Sequence, residues 1–312
     1  MKSPNKKTLK FLIKLLITLA FTAWIIYSTS WKDVWFYVSE IRPIYLVIYV
    51  IVLFLGFWIS AKKWELLAKF KNIRLPSTEF FQLYFIGTFI NNFMPSFIAG
   101  DAYKAYEIGK RDENYTQAAS TVMMDRITGL VGATILALIF IFFNFKSLVE
   151  SRLLIASSAI LLLSLGVDCL MPQIRKIAWL KRLVYRLAPQ KITEFLRELG
   201  SYNHDSKVLG HSVFYSILFS LIGVGALNYV LFLALGIEVN LPDYLSVIFL
   251  ISVISALPVS INNIGIKEWA YVTFFGIFGL NPAGVLTVAI VSRTIQMVVS
   301  FFALPLYLER KK

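Results

Sequence analysis

Cysteine is almost missing from this chain of 312 residues. Cys169 stands alone, which excludes an internal disulfide framework and any multi-thiolate metal site. The two histidines, His204 and His211, are too few and too badly placed for a zinc-type cluster, so no metal or other cofactor is expected. Charge is scarce too: 16% of residues are Asp, Glu, Lys or Arg. No GxSxG, HExxH, P-loop or GxGxxG pattern occurs. The longest segment outside the apolar runs, 171–207, leaves no room for a soluble enzyme domain.

What fills the chain instead is hydrocarbon. Hydrophobic residues make up 58%, and the mean hydropathy is +0.70. That balance belongs to polytopic membrane proteins. A spanning helix needs about 20 mostly apolar residues, because the bilayer core is about 30 Å thick. Runs of this kind lie at 9–29, 44–61, 79–94, 116–143, 152–170, 208–236, 243–260 and 282–308. The first follows three lysines, with Lys10 just inside it, like a signal peptide, but no small-residue cleavage site comes after it, and it reads as an uncleaved span. The expected fold is therefore all-α, a single integral membrane domain over 1–312. It has about eight transmembrane helices plus two short, interrupted segments at 95–109 and 264–280.

Basic residues give the direction, since cytoplasmic flanks carry excess Lys and Arg. With the N-terminus inside and both short segments traversing wholly or partly, one side collects Lys2 to Lys14, then Lys62, Lys63, Lys69, Lys71 and Arg74. Lys110, Arg111, the basic residues from Arg175 to Lys207, and Arg310 to Lys312 fall on the same side. The other side keeps only Lys32, Arg42, Lys146 and Arg152. The net charge of +13 is thus a matter of topology and anionic lipid, not of nucleic acid. Within 171–207, apolar residues from Ile174 to Leu187 recur at helical spacing between basic ones, as in a helix lying in the headgroup layer. Trp31, Trp35, Trp58 and Trp64 suit interfacial anchoring, and Asp168, Glu238 and Asp243 suit solvated span ends.

Some charges and polar residues sit where apolar helix should continue. The stretches are "NNFMPSFIAGDAYKAYEIGK" (Asn91–Lys110) and "LPVSINNIGIKEWAY" (Leu257–Tyr271). Each has an Asn pair, a Pro (Pro95, Pro258), a Gly (Gly100, Gly265) and an acid (Asp101, Glu268). Asp101 precedes Arg126 by 25 residues, and Glu268 precedes Arg293 by 25. Asp125 adds an acid in the first half only; its counterpart is Ser292. Pro removes a backbone donor and Gly permits a turn, so a helix stops inside the membrane. The half-helix that follows offers amides and positive potential to an anion. Given the topology, the two units, about 79–143 and 243–308, are inverted copies, an arrangement known from transporters. The expected substrate site comprises Asn92, Gly100, Asp101, Lys104, Asp125, Arg126, Asn262, Gly265, Lys267, Glu268 and Arg293 around one central cavity. Two plainer readings compete: the acid–arginine pairs hold helices together, or an acid serves as general base in an intramembrane enzyme acting on a lipid phosphate.

In "NNFMPSFIAGDAYKAY", "AASTVMMDRITGL" and "LPVSINNIGIKEWAY" the chain resembles the membrane domain of the lysylphosphatidylglycerol synthase/flippase family, also called the multiple peptide resistance factor family. The likeness extends over nearly the whole chain. It implies a flippase-like protein of the plasma membrane that moves a phospholipid, or a polyprenyl-phosphate-type lipid, between leaflets. Synthases of that family continue into a soluble aminoacyl-transferase domain, whereas this sequence ends at Lys312, so the resemblance implies a stand-alone membrane domain that does not aminoacylate lipid. The expected partners are the bilayer and its lipids; homo-oligomerisation is left open. An assembly factor with a structural charge network is a third reading.

The topology makes both termini and 171–207 cytoplasmic. A cysteine placed at position 112 in a Cys169→Ser background should resist an impermeant thiol reagent added outside intact cells. Strong external labelling there would refute the inverted arrangement.

Overall fold

The computed structural model describes residues 6–94, 96, 98–111, 113–144, 189–256 and 260–310. The run at 152–170, the amphipathic segment 174–187, Pro95, Pro258, Asp168 and Cys169 lie outside the described residues. Everything regular among the described residues is helical. The first elements are α1 (Lys6–Ser28), α2 (Trp31–Ser39), α3 (Pro43–Phe70), α4 (Ser77–Phe93), α5 (Ala99–Arg111) and α6 (Tyr115–Phe143). Then come α7 (Gln190–Ser201), α8 (Ser206–Phe219), a π-helical stretch (Ser220–Ala226) and α9 (Leu227–Ala234). The chain ends with α10 (Leu241–Ser255), α11 (Ile266–Gly276), α12 (Pro282–Phe301) and α13 (Leu304–Glu309).

Among the described residues, four helical stretches are long and apolar enough to cross a bilayer: Pro43–Phe70, Tyr115–Phe143, Ser206–Ala234 and Pro282–Glu309. Leu15–Tyr27 and Leu241–Ser255 are apolar but shorter. Helix starts follow local chemistry. Pro43 and Pro282 occupy first-turn positions where a missing N–H costs nothing. Asn114 and Asn281 accept backbone N–H groups of Gln117 (3.0 Å) and Ala283 (2.8 Å) at the starts of α6 and α12.

One boundary departs from expectation. The apolar run ends near residue 61, but α3 continues to Phe70. Its 28 residues rise about 42 Å at 1.5 Å each, beyond the bilayer core of about 30 Å. Lys62, Lys63 and Lys69 are therefore on the last turns of a helix rather than in a loop, and Lys63 is buried. The helix persists because its end is braced. Lys71 pairs with Glu198 of α7 at 2.5 Å, and Tyr202 donates to the Leu67 carbonyl oxygen at 2.9 Å. Burial, and then the Glu198 carboxylate, pushes the Tyr202 phenol above its ordinary ionisation range.

In lipid, helices are held by packing and hydrogen bonds rather than by expulsion of apolar surface from water. The core runs through Tyr49, Phe57, Phe85, Phe232, Tyr244, Phe249, Tyr271 and Phe275. Small residues bring backbones together at the crossings. A Cβ on Gly56 would lie 3.1 Å from Gly223 Cα in the π-helical stretch, where Tyr244 donates to the Gly225 carbonyl oxygen at 2.6 Å. A Cβ on Gly100 would overlap the Gly87 carbonyl oxygen. Gly100→Ala should consequently lower the midpoint of thermal unfolding in detergent, with a cost of about 1–3 kcal/mol for overpacking. Gly210→Ala, on the open face of α8 with nothing within 4 Å, should raise it slightly. Equal midpoints for both variants would show that the α4–α5 contact is not a fixed one.

Candidate functional site

The first interruption separates α4 from α5. Met94 turns the backbone extended, and helix resumes at Ala99. Asn91 Oδ1 accepts the Gly100 N–H at 2.7 Å, which ties the new helix start back to the old helix end. Asp101 then falls in the first turn of α5, where free amides and the helix dipole favour a carboxylate. Its Oδ1 is 2.9 Å from Lys104 Nζ, and its Oδ2 accepts from Arg126 Nε of α6. Lys104 lies over the rings of Tyr84 (4.6 Å) and Trp64 (5.1 Å), and Trp64 donates to Thr121 Oγ1 at 3.0 Å. Beside Arg126, Asp125 Oδ1 is 3.0 Å from Lys63 Nζ, and Lys63 also donates to the Asp125 backbone carbonyl at 2.7 Å. Lys63, Asp101, Lys104 and Asp125 are all buried, whereas the Arg126 side chain is 36% exposed.

The second interruption separates α10 from α11. Asn262 (φ 50°), Asn263 (φ 55°) and Gly265 (φ 85°) all adopt left-handed backbone, which Asn and Gly tolerate best. Asn263 donates its amide back to the Ser255 carbonyl oxygen. Glu268, three residues past Gly265, accepts the Gly265 N–H at 2.8 Å. Arg293 from α12 reaches Glu268 Oε1 at 2.8 Å and donates to the carbonyl oxygens of Asn262 (3.2 Å) and Asn263 (3.1 Å). Helix α1 covers this turn: Thr18 Oγ1 accepts the Ile261 N–H at 2.9 Å, and Phe21 leaves no space for a side chain at 265. Lys267 makes no ion pair among the described residues; its ammonium lies 5.7 Å from the Tyr271 ring.

The offset that separates Ala99 from Ile266 also separates Tyr115 from Pro282, Asp101 from Glu268 and Arg126 from Arg293. Helix starts and charge pairs therefore repeat in register. The repeat is broken where Lys104 corresponds to Tyr271, where Gly100 corresponds to Lys267, and at Asp125. Where Asp125 meets Lys63, the corresponding Ser292 meets Tyr49, its Oγ 3.0 Å from the phenol oxygen, with Gln296 Nε2 donating to both. Tyr49 and Lys63 both belong to α3, and fourteen residues of helix set them about 21 Å apart along its axis. The two acid–arginine pairs thus stand at different levels of the bundle. The hairpins meet through amides: Asn262 Nδ2 donates to the Asn92 carbonyl oxygen (3.2 Å), and Asn92 Nδ2 donates to Ser300 Oγ (2.9 Å).

Every sequence-predicted residue thus falls on one of the two hairpins or on the helix that closes it. Lys63, Trp64, Tyr84 and Tyr49 were not among them. Trp31, Trp35 and Trp58 are exposed, as anchors should be, but Trp64 is fully buried beneath Lys104. The signal for Lys63 was Asp125 itself: a carboxylate in a membrane helix with no assigned base requires one.

Asp101 serves two cations, whereas Glu268 serves one that also holds two backbone carbonyls. Asp101→Asn should therefore cost more than Glu268→Gln, near the upper end of the about 3–5 kcal/mol for breaking a buried pair. Thermal unfolding followed by tryptophan fluorescence checks the order, and the reverse order would refute this account of the two pairs.

The chain is similar to the "UPF0104 membrane protein" of Methanothermobacter thermautotrophicus, 22% identical over 277 residues covering 81% of each chain. No solved structure matches it. The family model described as "Lysylphosphatidylglycerol synthase TM region" matches residues 11–303, nearly the whole chain and both hairpins. The chain belongs to that family, and is a membrane protein related to lipid metabolism or transport.

Proposed function

We propose that this protein is a lipid translocase of the plasma membrane, with its termini and residues 171–207 in the cytoplasm. Residues 79–143 and 243–308 are the inverted copies that carry the path. The observation that supports this most is the repeated pair: a buried acid at a half-helix start, closed by an arginine that keeps part of its side chain exposed. Arg126 is 36% exposed and Arg293 24%, while Asp101 and Glu268 are about a tenth exposed or less. An acid holds each guanidinium in place, and the part of the side chain that stays exposed presents its positive charge to a phosphate.

With this topology α3 runs from the outer face to the inner. Tyr49 and Ser292 then mark the outer half, and Lys63 and Asp125 the inner half. The two pairs become two stations at different depths, between which an anionic headgroup passes while its tails stay in lipid. Asn92, Gly100 and Lys104 frame the inner station; Asn262, Gly265 and Lys267 frame the outer one. The substrate is a phospholipid or a polyprenyl-phosphate-type lipid. The sequence has no ATP-binding motif, so movement runs downhill or is coupled to an ion.

Purified protein in liposomes with headgroup-labelled lipid tests this. The outer pool accessible to a membrane-impermeant quencher should grow beyond half in the presence of protein. Arg126→Ala and Arg293→Ala should each slow the movement about 10- to 100-fold, as expected for a lost charged hydrogen bond, and lower the thermal midpoint much less. Loss of stability in step with loss of transport would return both arginines to a structural role. A chemically altered lipid would favour the intramembrane enzyme, with Asp101, Asp125 or Glu268 as base.

A further inference from the structure

Around the two acid–arginine pairs the halves hold different charges, yet the sums agree. Lys104 of the first hairpin corresponds to Tyr271, and Lys267 of the second corresponds to Gly100. Asp125 has no acidic counterpart, but it brings its own base: Lys63 lies 3.0 Å away, whereas Ser292 meets the neutral Tyr49. The first hairpin thus sets Lys63, Lys104 and Arg126 against Asp101 and Asp125. The second sets Lys267 and Arg293 against Glu268. Three against two and two against one both leave a single positive charge in excess. The other charges of α3 to α5 lie at the end that the proposed topology puts in the cytoplasm. Glu65 is held there by Lys62 and Lys69, Glu79 by Arg111 and Arg310, and Glu107 stands with Arg310 beside Tyr103.

We infer that each hairpin is built to take one negative charge, so that the lipid moved carries a headgroup with a single net negative charge. This rests on the translocase reading above and narrows its substrate to a phosphodiester whose remaining headgroup atoms are neutral. Glycerophospholipids with an uncharged polar headgroup have that chemistry, and so do polyprenyl phosphodiesters of a sugar. The physical ground is that charge within hydrocarbon must be matched.

The excess sits on different residues in the two halves. In the second, Arg293 is served by Glu268 and by the carbonyl oxygens of Asn262 and Asn263. Lys267 carries the surplus: it is half-buried, makes no ion pair among the described residues, and has its ammonium 5.7 Å from the Tyr271 ring. In the first, Lys63 and Asp125 cancel, and Asp101 is divided between Lys104 and the partly exposed Arg126. A zwitterionic headgroup brings an ammonium along with its phosphate and leaves the surplus unmatched. A phosphomonoester brings about −1.5 to −2 at pH 7 and overshoots it. A singly charged phosphodiester balances either hairpin, and finds the same balance at both depths.

The test uses the full chain in phosphatidylcholine liposomes at neutral pH, with a trace of tail-fluorescent phosphatidylglycerol, phosphatidylcholine or phosphatidic acid and an impermeant quencher. Wild type should move phosphatidylglycerol at least about tenfold faster than either of the others, the factor for one charged hydrogen bond. Lys267→Gln removes the surplus from one hairpin and strands no acid, so it should fold and lose most of that preference; Lys267→Arg should keep it. Lys63→Gln/Asp125→Asn removes one charge of each sign and leaves the surplus as it was. Its ratio of phosphatidylglycerol to phosphatidylcholine movement should stay at the wild-type value, whatever the absolute rates. An unlabelled polyprenyl phosphoryl-hexose that slows the phosphatidylglycerol label names the polyprenyl source, and one that does not names the glycerophospholipid; either result supports the charge rule. Equal rates for the three lipids in wild type overturn the rule and leave the translocase reading standing. So does a preference that survives Lys267→Gln, or one lost in the double variant and not in Lys267→Gln. No movement of any labelled lipid in wild type overturns both.

Discussion

A charged side chain within hydrocarbon must bring its counter-charge along. The cost of an unpaired Arg, Lys or Asp at the bilayer centre is at least about 2.5–3.5 kcal/mol. That constraint organises the bundle. Asp101 and Glu268 can sit inside because each begins a helix and each meets an arginine from the next long helix. For an acid to begin a helix there, the preceding helix must stop inside the bundle, so each Asn pair and glycine lies just upstream. Those turns are tolerated because protein covers them: Gly87 of α4 lies against Gly100, and α1 lies over Gly265. Helix α3 is long because it must supply a partner at two levels, a phenol at Tyr49 and an ammonium at Lys63.

The twofold logic of the hairpins was legible in the sequence because it rests on residue types at fixed separation. An acid and an arginine 25 apart, seen twice, survive any error in helix boundaries. The register of α5 with α11 and of α6 with α12 then places each pair in equivalent surroundings. What escaped was contact between distant segments. Lys63 reads as one of several basic residues after an apolar run, and only tertiary packing turns it toward Asp125. Trp64 reads as an interfacial anchor for the same reason, since a Trp near a span end has that role when its face is open. Here Phe80 packs edge-on against it at 5.1 Å and Lys104 covers it. Helix α3 outruns its apolar run because Lys71, Glu198 and Tyr202 brace its end, and hydropathy carries no trace of that. The depth difference between the two pairs was equally hidden, as it follows from which residues of α3 each one meets.

The equivalence of the halves is local. The first hairpin is knit by ion pairs among Lys63, Asp125, Lys104, Asp101 and Arg126; the second replaces the Lys63–Asp125 element with hydroxyls and an amide from Tyr49, Ser292 and Gln296. Only Glu268–Arg293 remains as an ion pair there among the described residues, with Lys267 lying against an aromatic ring. The two hairpins are therefore built from unequal sets of charges: Lys63, Lys104 and Arg126 meet Asp101 and Asp125 in the first, whereas Lys267 and Arg293 meet Glu268 alone in the second.

The strengths of the contacts also say where the bundle can move. Within each half the ties are charged and buried, and breaking one costs about 3–5 kcal/mol. At the hairpin tips the tie is a neutral amide hydrogen bond, Asn262 to the Asn92 carbonyl, of a kind worth about 0.5–1.5 kcal/mol, while Asn144 to Asp243 and Arg310 to Glu79 join the halves elsewhere. The contact between Asn92 and Asn262 can therefore be parted at smaller cost than either acid–arginine pair. In the proposed translocase each hairpin carries one of the two stations, and the seam at Asn92 and Asn262 joins their tips. A headgroup leaving one station would then meet polar groups that can be parted at small cost, whereas a carboxylate–guanidinium pair in the same place would bar it. Neutral amides at the seam and ion pairs on either side divide the work between holding the fold and letting it open.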